Sequence, residues 1–196
     1  MLRRDLQLIA RWIPQRAHVL DLGCGDGALL HYLRGQHGCK GYGIEIADRY
    51  VLEAVRRGVN VIQADLDSGL RMFVDGMFDV VVLSQTLQAV REVEAVLREM
   101  ARVGRQGIVS FPNFGHWRHA ASLLAGRMPV TRDIPYPWYD TPNIHLCTPK
   151  DFEILAAKLG LQITARELLA NGLPVRWMPN LRATLALYRF ESRAGG

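Results

Sequence analysis

Apolar residues along the chain fall into two alternating patterns. Short β-branched or aliphatic runs at His18–Leu22, Gly41–Ile44, Val59–Ile62, Phe78–Leu83 and Gly104–Phe111 read as strands, and Leu161–Arg166 and Ala183–Phe190 add two more. The fourth run, Phe-Asp-Val-Val-Val-Leu, is almost wholly apolar, as a central strand covered on both faces must be. Between the runs, apolar positions take helical spacing. Leu2, Leu6, Ile9 and Ile13 form one stripe ending at Pro14; Val93, Val96, Leu97 and Met100 form another. Thr148-Pro149-Lys150-Asp151 predicts a helix start, with Thr148 as N-cap and Pro149 in the first turn. Phe152, Leu155, Ala156 and Leu159 supply its apolar face, and Gly160 ends it. Strands alternating with helices predict an α/β layer fold around a parallel sheet.

One segment departs from this rhythm. Residues 112–149 hold six of the nine prolines, three of the six histidines, and Phe114, Trp117, Tyr136, Trp138 and Tyr139. So long an irregular stretch in a compact domain is usually functional, and its aromatic content argues against disorder. It is expected to be a lid or a partner-binding insertion in a single domain spanning 1–196.

Composition narrows the class. With 196 residues, 49% hydrophobic and 22% charged, the chain has ordinary globular proportions. No run approaches the roughly 18 apolar residues of a membrane span, and the opening residues lack a signal-peptide core. Cys24, Cys39 and Cys147 are too scattered for a disulfide framework or zinc cage, so a cytoplasmic location and no metal are expected. The net charge of +5 comes from 24 basic residues, all arginine except Lys40, Lys150 and Lys158, and spread along the chain. Nucleic-acid binding wants clustered charge, so none is expected.

The strongest chemical signal is Val19-Leu-Asp-Leu-Gly-Cys-Gly-Asp-Gly27, a strand running into a glycine turn and then a helix near Ala28. Gly23, Gly25 and Ala28 satisfy a dinucleotide pattern, while Asp21, Gly23, Gly25 and Gly27 satisfy the D-x-G-x-G-x-G pattern of S-adenosylmethionine sites. Charge separates the two. A pyrophosphate here would face the carboxylates of Asp21 and Asp26, whereas S-adenosylmethionine brings an ammonium and a sulfonium. Asp21 can pair with the ammonium, and amides near Gly23–Gly25 can receive the carboxylate. Glu45 ends the second strand about 20 residues later, where a carboxylate can accept both ribose hydroxyls. Ile46 offers an apolar face to the adenine; Asp65 can accept its amino group, with Leu66 against the ring.

These motifs resemble the class I S-adenosylmethionine-dependent methyltransferases. The resemblance implies a single-domain, Rossmann-like, seven-stranded sheet of order 3-2-1-4-5-7-6 with the last strand antiparallel. It implies cofactor contacts at Asp21, Gly23, Gly25, Glu45, Ile46, Asp65 and Leu66, with Ser84 beside the methionine moiety. Three longer strings, Leu83–Gln88, Phe111–Trp117 and Trp138–Thr148, resemble the MetW family of methionine biosynthesis. That resemblance implies binding of S-adenosylmethionine or S-adenosylhomocysteine and partnership with homoserine O-acyltransferase.

No residue is singled out as catalytic. Methyl transfer depends chiefly on holding nucleophile and methyl in near-attack geometry, so a nucleophilic acceptor needs no dedicated base. The Asn/Asp-Pro-Pro-Tyr/Phe string of amino-group methyltransferases acting on bases is replaced here by Ser84-Gln85-Thr86-Leu87. Ser84 also lacks a G-x-S-x-G elbow, which argues against acyl transfer by this chain itself. His116, His119 and His145 are candidate bases by type, with His145 best placed. The structural expectation is that His116 and His145 bond to backbone and pin the long segment while His119 sits on a helix surface. Cys24 is expected to be a small packing residue. His116, Trp117, Tyr139 and His145 are the candidate substrate or partner contacts. Two readings stand: a cofactor-binding partner of the acyltransferase, or an active small-molecule methyltransferase.

Overall fold

The computed structural model describes residues 2–131 and 134–192. Its helices are α1 (Arg4–Trp12), α2 (Ala28–His37), α3 (Asp48–Arg56), α4 (Val93–Val103), α5 (Trp117–Leu124), α6 (Pro149–Lys158) and α7 (Pro179–Arg182). The strands are β1 (His18–Leu22), β2 (Lys40–Glu45), β3 (Val61–Gln63), β4 (Phe78–Ser84), β5 (Gly104–Pro112), β6 (Leu161–Ala170), β7 (Leu173–Pro174) and β8 (Leu185–Ser192). They form one sheet of order β3-β2-β1-β4-β5-β8-β6-β7.

The expected order is present with one addition. β1 to β5 pair in parallel, and β8 inserts antiparallel between β5 and β6. The eighth strand is the two-residue β7, folded back antiparallel on β6. The Asn171-Gly172 turn, with φ of 52° and 76°, makes that reversal, and Pro174 is tolerated because β7 lies at the sheet edge. The third strand begins at Val61 rather than Val59, because Gly58 and Val59 close the end of α3 with amides donated to Val55 and Ala54.

Period-2 alternation along the strands builds a core on each face. Leu20, Leu22, Val81, Leu83, Val109 and Phe111 pack on one side with Leu97 and Met100 of α4 and Phe152 of α6. Val19, Val80, Val82, Ile108 and Leu187 pack on the other with Ile9 of α1 and Leu29 and Leu33 of α2. The Val-Val-Val run of β4 is therefore fully buried. α6 starts as its sequence requires: Thr148 Oγ1 accepts the Asp151 amide at 3.3 Å, with Pro149 in the first turn.

The stretch from Pro112 to Pro149 is neither bare loop nor detached; positions 132 and 133 within it lie outside the described residues. It contains α5, and its start is fastened to α7. The buried Asn113 amide donates to the carbonyls of Asn180 and Ala183 at 2.7 and 2.8 Å, and its Oδ1 accepts the Gly115 amide. Near its far end, the Ile144 and His145 amides both donate to the Gln88 carbonyl, at 2.8 and 3.0 Å. That lays the strap across the turn Leu87–Ala89 that follows β4. Among the described residues no helix is long and apolar enough to cross a membrane.

Candidate functional site

The carboxyl ends of the parallel strands carry the site. β1 has β2 on one side and β4 on the other, so the connection reverses direction there and opens a crevice. The strand registers align Leu22 with Ile44 and Glu45 with Gln63, bringing the glycine turn, Glu45 and the Ala64–Leu66 stretch to neighbouring strand ends. Ser84 ends β4; its hydroxyl lies 3.1 Å from that of Ser110 on β5.

The turn is left-handed at every glycine, with φ of 67°, 55° and 73° at Gly23, Gly25 and Gly27. Gly23 and Gly25 are glycine for different reasons. A Cβ at Gly23 would lie 2.5 Å from Thr86 Oγ1, so the turn presses on the residues after β4. A Cβ at Gly25 would meet no atom within 4 Å, so the backbone there faces open space that a ligand can enter.

Glu45 organises this corner. Its Oε2 accepts the Gly25 amide at 2.9 Å, and its Oε1 accepts the Ile46 and Ala47 amides at 2.9 and 3.0 Å. The carboxylate thus ties the turn to the start of α3, and its remaining lone pairs stay available to ligand hydroxyls. Three of the turn amides expected near a ligand carboxylate have partners within the fold. Gly23 and Cys24 donate their amides to the Ile44 carbonyl at 2.8 and 3.0 Å, and Gly25 donates to Glu45. The Gly23–Gly25 donors therefore serve the fold, and Gly25 alone of the turn's three glycines faces open space.

Asp21, in the last turnless stretch of β1, is buried, and its carboxyl is pushed up to about 7. Burial is the main cause, and the Glu45 charge adds to it; Arg3 opposes them. Among the described residues no hydrogen bond reaches its carboxyl, which keeps Asp21 a candidate for a cationic partner. Cys24 is held as a neutral thiol by burial and by the charges of Asp21, Glu45 and Asp26, and its sulfur packs over Gly43. It is a packing residue.

The adenine-side candidates are more open. Ile46 is 60% exposed, an unusual position for an isoleucine beside a crevice. Leu66 is half-buried against the core, and Asp65 is exposed, its carboxylate accepting the Asp67 amide at 2.9 Å.

The histidines divide. His116 caps α5, its Nδ1 accepting the Arg118 amide at 3.3 Å. His145 is exposed and its Nε2 bonds the Arg91 carbonyl at 3.2 Å. His119 is only 2% exposed, which corrects its placement on a helix surface. Its ring bonds the Phe114 carbonyl and the Thr131 hydroxyl, both at 3.1 Å, and so forms the buried face of α5. Trp117 and Tyr139 are exposed, as is Trp138 at 70%. Among the described residues no group of three His, Cys, Asp or Glu side chains could hold a metal ion.

Sequence reasoning missed Arg3, Asp5 and Gln85. Asp5 is buried, and its carboxylate receives the Arg3 guanidinium and, at 2.6 Å, the Gln85 amide. The only sequence signal was an acid on the apolar side of the first helical stripe.

Sheet order, glycine turn and the acid ending β2 define the class: an S-adenosylmethionine-dependent methyltransferase fold. A methyltransferase of that kind from Mesorhizobium loti superposes with a TM-score of 0.72 at 18% identity, covering 96% of this chain and 97% of the other. The [4+2]-cyclase SpnF superposes at 0.70 and 18% identity over 98% of this chain and 82% of its own. Within that class, the chain belongs to the family of methionine biosynthesis protein MetW, whose model matches residues 3–190. It is 39% identical over 169 residues to the bifunctional methionine biosynthesis protein MetXA/MetW of Rhodopirellula baltica, covering 81% of this chain and 27% of the relative. It is 27% identical over 96 residues to norajmaline N-methyltransferase of Rauvolfia serpentina, covering 46% of this chain and 33% of that enzyme. The chain thus spans about a quarter to a third of the length of these curated relatives.

Proposed function

We propose that this protein binds S-adenosylmethionine or S-adenosylhomocysteine and acts in methionine biosynthesis by accompanying or activating homoserine O-acyltransferase. The observation that carries the partnership is the bifunctional relative, in which MetXA and MetW share one polypeptide. Domains that work together gain a high effective concentration when joined in one chain, so such a fusion is the expected product of a functional pairing. The aromatic surface of the 112–149 segment, with Trp117, Trp138 and Tyr139 exposed, supplies side chains of the kind that anchor protein interfaces.

The residues present fit the cofactor. Asp21 suits its ammonium, Glu45 its ribose hydroxyls, and Ile46 and Leu66 flank an adenine. Gly25 leaves the space the ligand needs. The cofactor would bring an electrophilic methyl group to the crevice. The chain's own part would be to orient that ligand and to cover it with the strap at residues 144–145.

The second reading, a small-molecule methyltransferase, is favoured by the match to norajmaline N-methyltransferase. The cyclase with the same fold is a reminder that the scaffold alone does not fix the reaction. Gel filtration of the purified chain with homoserine O-acyltransferase tests the first reading, and co-elution is expected. Separate elution at micromolar concentrations contradicts it. Release of labelled methyl from the cofactor to a pathway metabolite in the absence of the acyltransferase would instead establish the second reading.

A further inference from the structure

An amino-acid ligand end carries an ammonium and a carboxylate, and the two ends need different partners. Asp21 is there for the cation, but the Gly23, Cys24 and Gly25 amides are already donated to Ile44 and Glu45. Those three amides are not free for the anion, so a side chain beside the turn is a candidate receiver.

A cation stands beside the same corner. Arg3 sends Nε to Asp5 Oδ1 at 3.3 Å and Nη2 to Asp5 Oδ2 at 3.1 Å. Asp5 is 7% exposed, and its Oδ2 also accepts from Gln85 Nε2 at 2.6 Å. Gln85 directly follows β4 with a left-handed φ of 53°, an uncommon backbone state for a residue with a side chain. It is locked there by its amide, which donates to both the carbonyl and the hydroxyl of Ser110. The next residue, Thr86, is the one that abuts Gly23. Glycine turn, residues 84–86, Asp5 and Arg3 are therefore contiguous, and Arg3 is the cation whose charge reaches Asp21.

We propose that Arg3, oriented by Asp5 and Gln85, receives the carboxylate of the amino-acid moiety of S-adenosylmethionine or S-adenosylhomocysteine, which makes the start of α1 part of the cofactor site. The inference rests on the cofactor reading above. Asp5 engages Nε and one Nη2 hydrogen of the guanidinium, leaving the Nη1 pair and the second Nη2 hydrogen to donate. Arg3 is 60% exposed at its side chain, so an incoming anion can reach it. Asp5 is a positioning residue: buried carboxylates are costly unless paired, and its two partners fix the fork in one direction. The zwitterion then meets opposite charge at both ends, Asp21 for its ammonium and Arg3 for its carboxylate.

The test is titration calorimetry on the full chain with S-adenosylhomocysteine and with its decarboxylated analogue, which keeps the ammonium, ribose and adenine. The parent chain should prefer S-adenosylhomocysteine. Arg3→Gln should weaken S-adenosylhomocysteine about tenfold or more while changing the analogue about twofold or less, so the preference collapses. Asp5→Asn should shrink the preference in part, and Arg3→Lys should restore some of it. An unchanged preference in Arg3→Gln, or equal loss of both ligands, overturns the assignment of Arg3 and leaves the cofactor reading standing. Failure of the parent chain to bind either ligand overturns both.

Discussion

The Glu45 carboxylate accepts the Gly25 amide across 2.9 Å, joining the tip of the glycine turn to the end of β2. Because the other oxygen holds the Ile46 and Ala47 amides, one side chain fixes both walls of the crevice. Glu45→Gln replaces one acceptor with a donor that faces backbone N–H groups. The change should destabilise the fold by about 1–3 kcal/mol, seen in urea unfolding, and should weaken S-adenosylhomocysteine beyond the loss of stability. An unaltered unfolding midpoint contradicts this role.

Asp21 makes the folded protein sensitive to pH in a direction opposite to that of a salt-bridged acid. Its carboxyl stands at about 7 in the fold against 3.8 ordinarily. Between those values the folded state keeps a proton that the unfolded chain releases. The stability Asp21 contributes is therefore fully present below pH ~4 and is lost as pH rises through about 7. Asp21→Asn cannot ionise, so it should raise the melting temperature at pH 8 and lose that advantage near pH 4. A variant less stable than its parent at pH 8 contradicts the account.

The same ionisation couples to the ligand. An ammonium beside Asp21 favours the carboxylate, so binding near pH 7 should expel a proton and affinity should rise with pH from about 6 to 8. Calorimetry in buffers of different ionisation enthalpy measures that release directly. Asp21→Asn should abolish both the release and the pH dependence while lowering affinity at pH 8. Proton uptake in the parent would show that Asp21 does not face the ammonium.

Gly23 and Gly25 should fail in different ways. Gly23→Ala drives a methyl group into Thr86, so its main effect should be lower thermal stability. Gly25→Val enters open space and should leave a folded protein, destabilised by about 1–2 kcal/mol for the left-handed backbone, that no longer binds S-adenosylhomocysteine. Retained affinity in Gly25→Val would remove the ligand from this turn.

The sheet was legible because its information is local. The Val-Val-Val run of β4 can only be a central strand, and Thr148 with Pro149 announces α6 in four residues. A helix at His119 was expected, but its inward face was not legible, since Trp-Arg-His-Ala-Ala-Ser-Leu-Leu lies in a proline-rich stretch and buries a histidine where an apolar residue is expected. The candidate corner's glycines and acids could be picked out by spacing, but the fate of the turn amides could not. It depends on the Ile44 carbonyl of a neighbouring strand. The Arg3–Asp5–Gln85 contact joins positions 80 residues apart, so neither end signals the other.

The central claim is that this methyltransferase-fold chain serves the acyltransferase of methionine biosynthesis rather than a methyl acceptor of its own. Its most direct test is the rate of homoserine acylation by the purified acyltransferase as this chain is titrated in. The account predicts a rate that changes saturably toward a stoichiometric complex, with the titration shifted to higher concentration by Trp138→Ser and Tyr139→Ser. A rate that stays constant across the titration, with no complex formed, would contradict it.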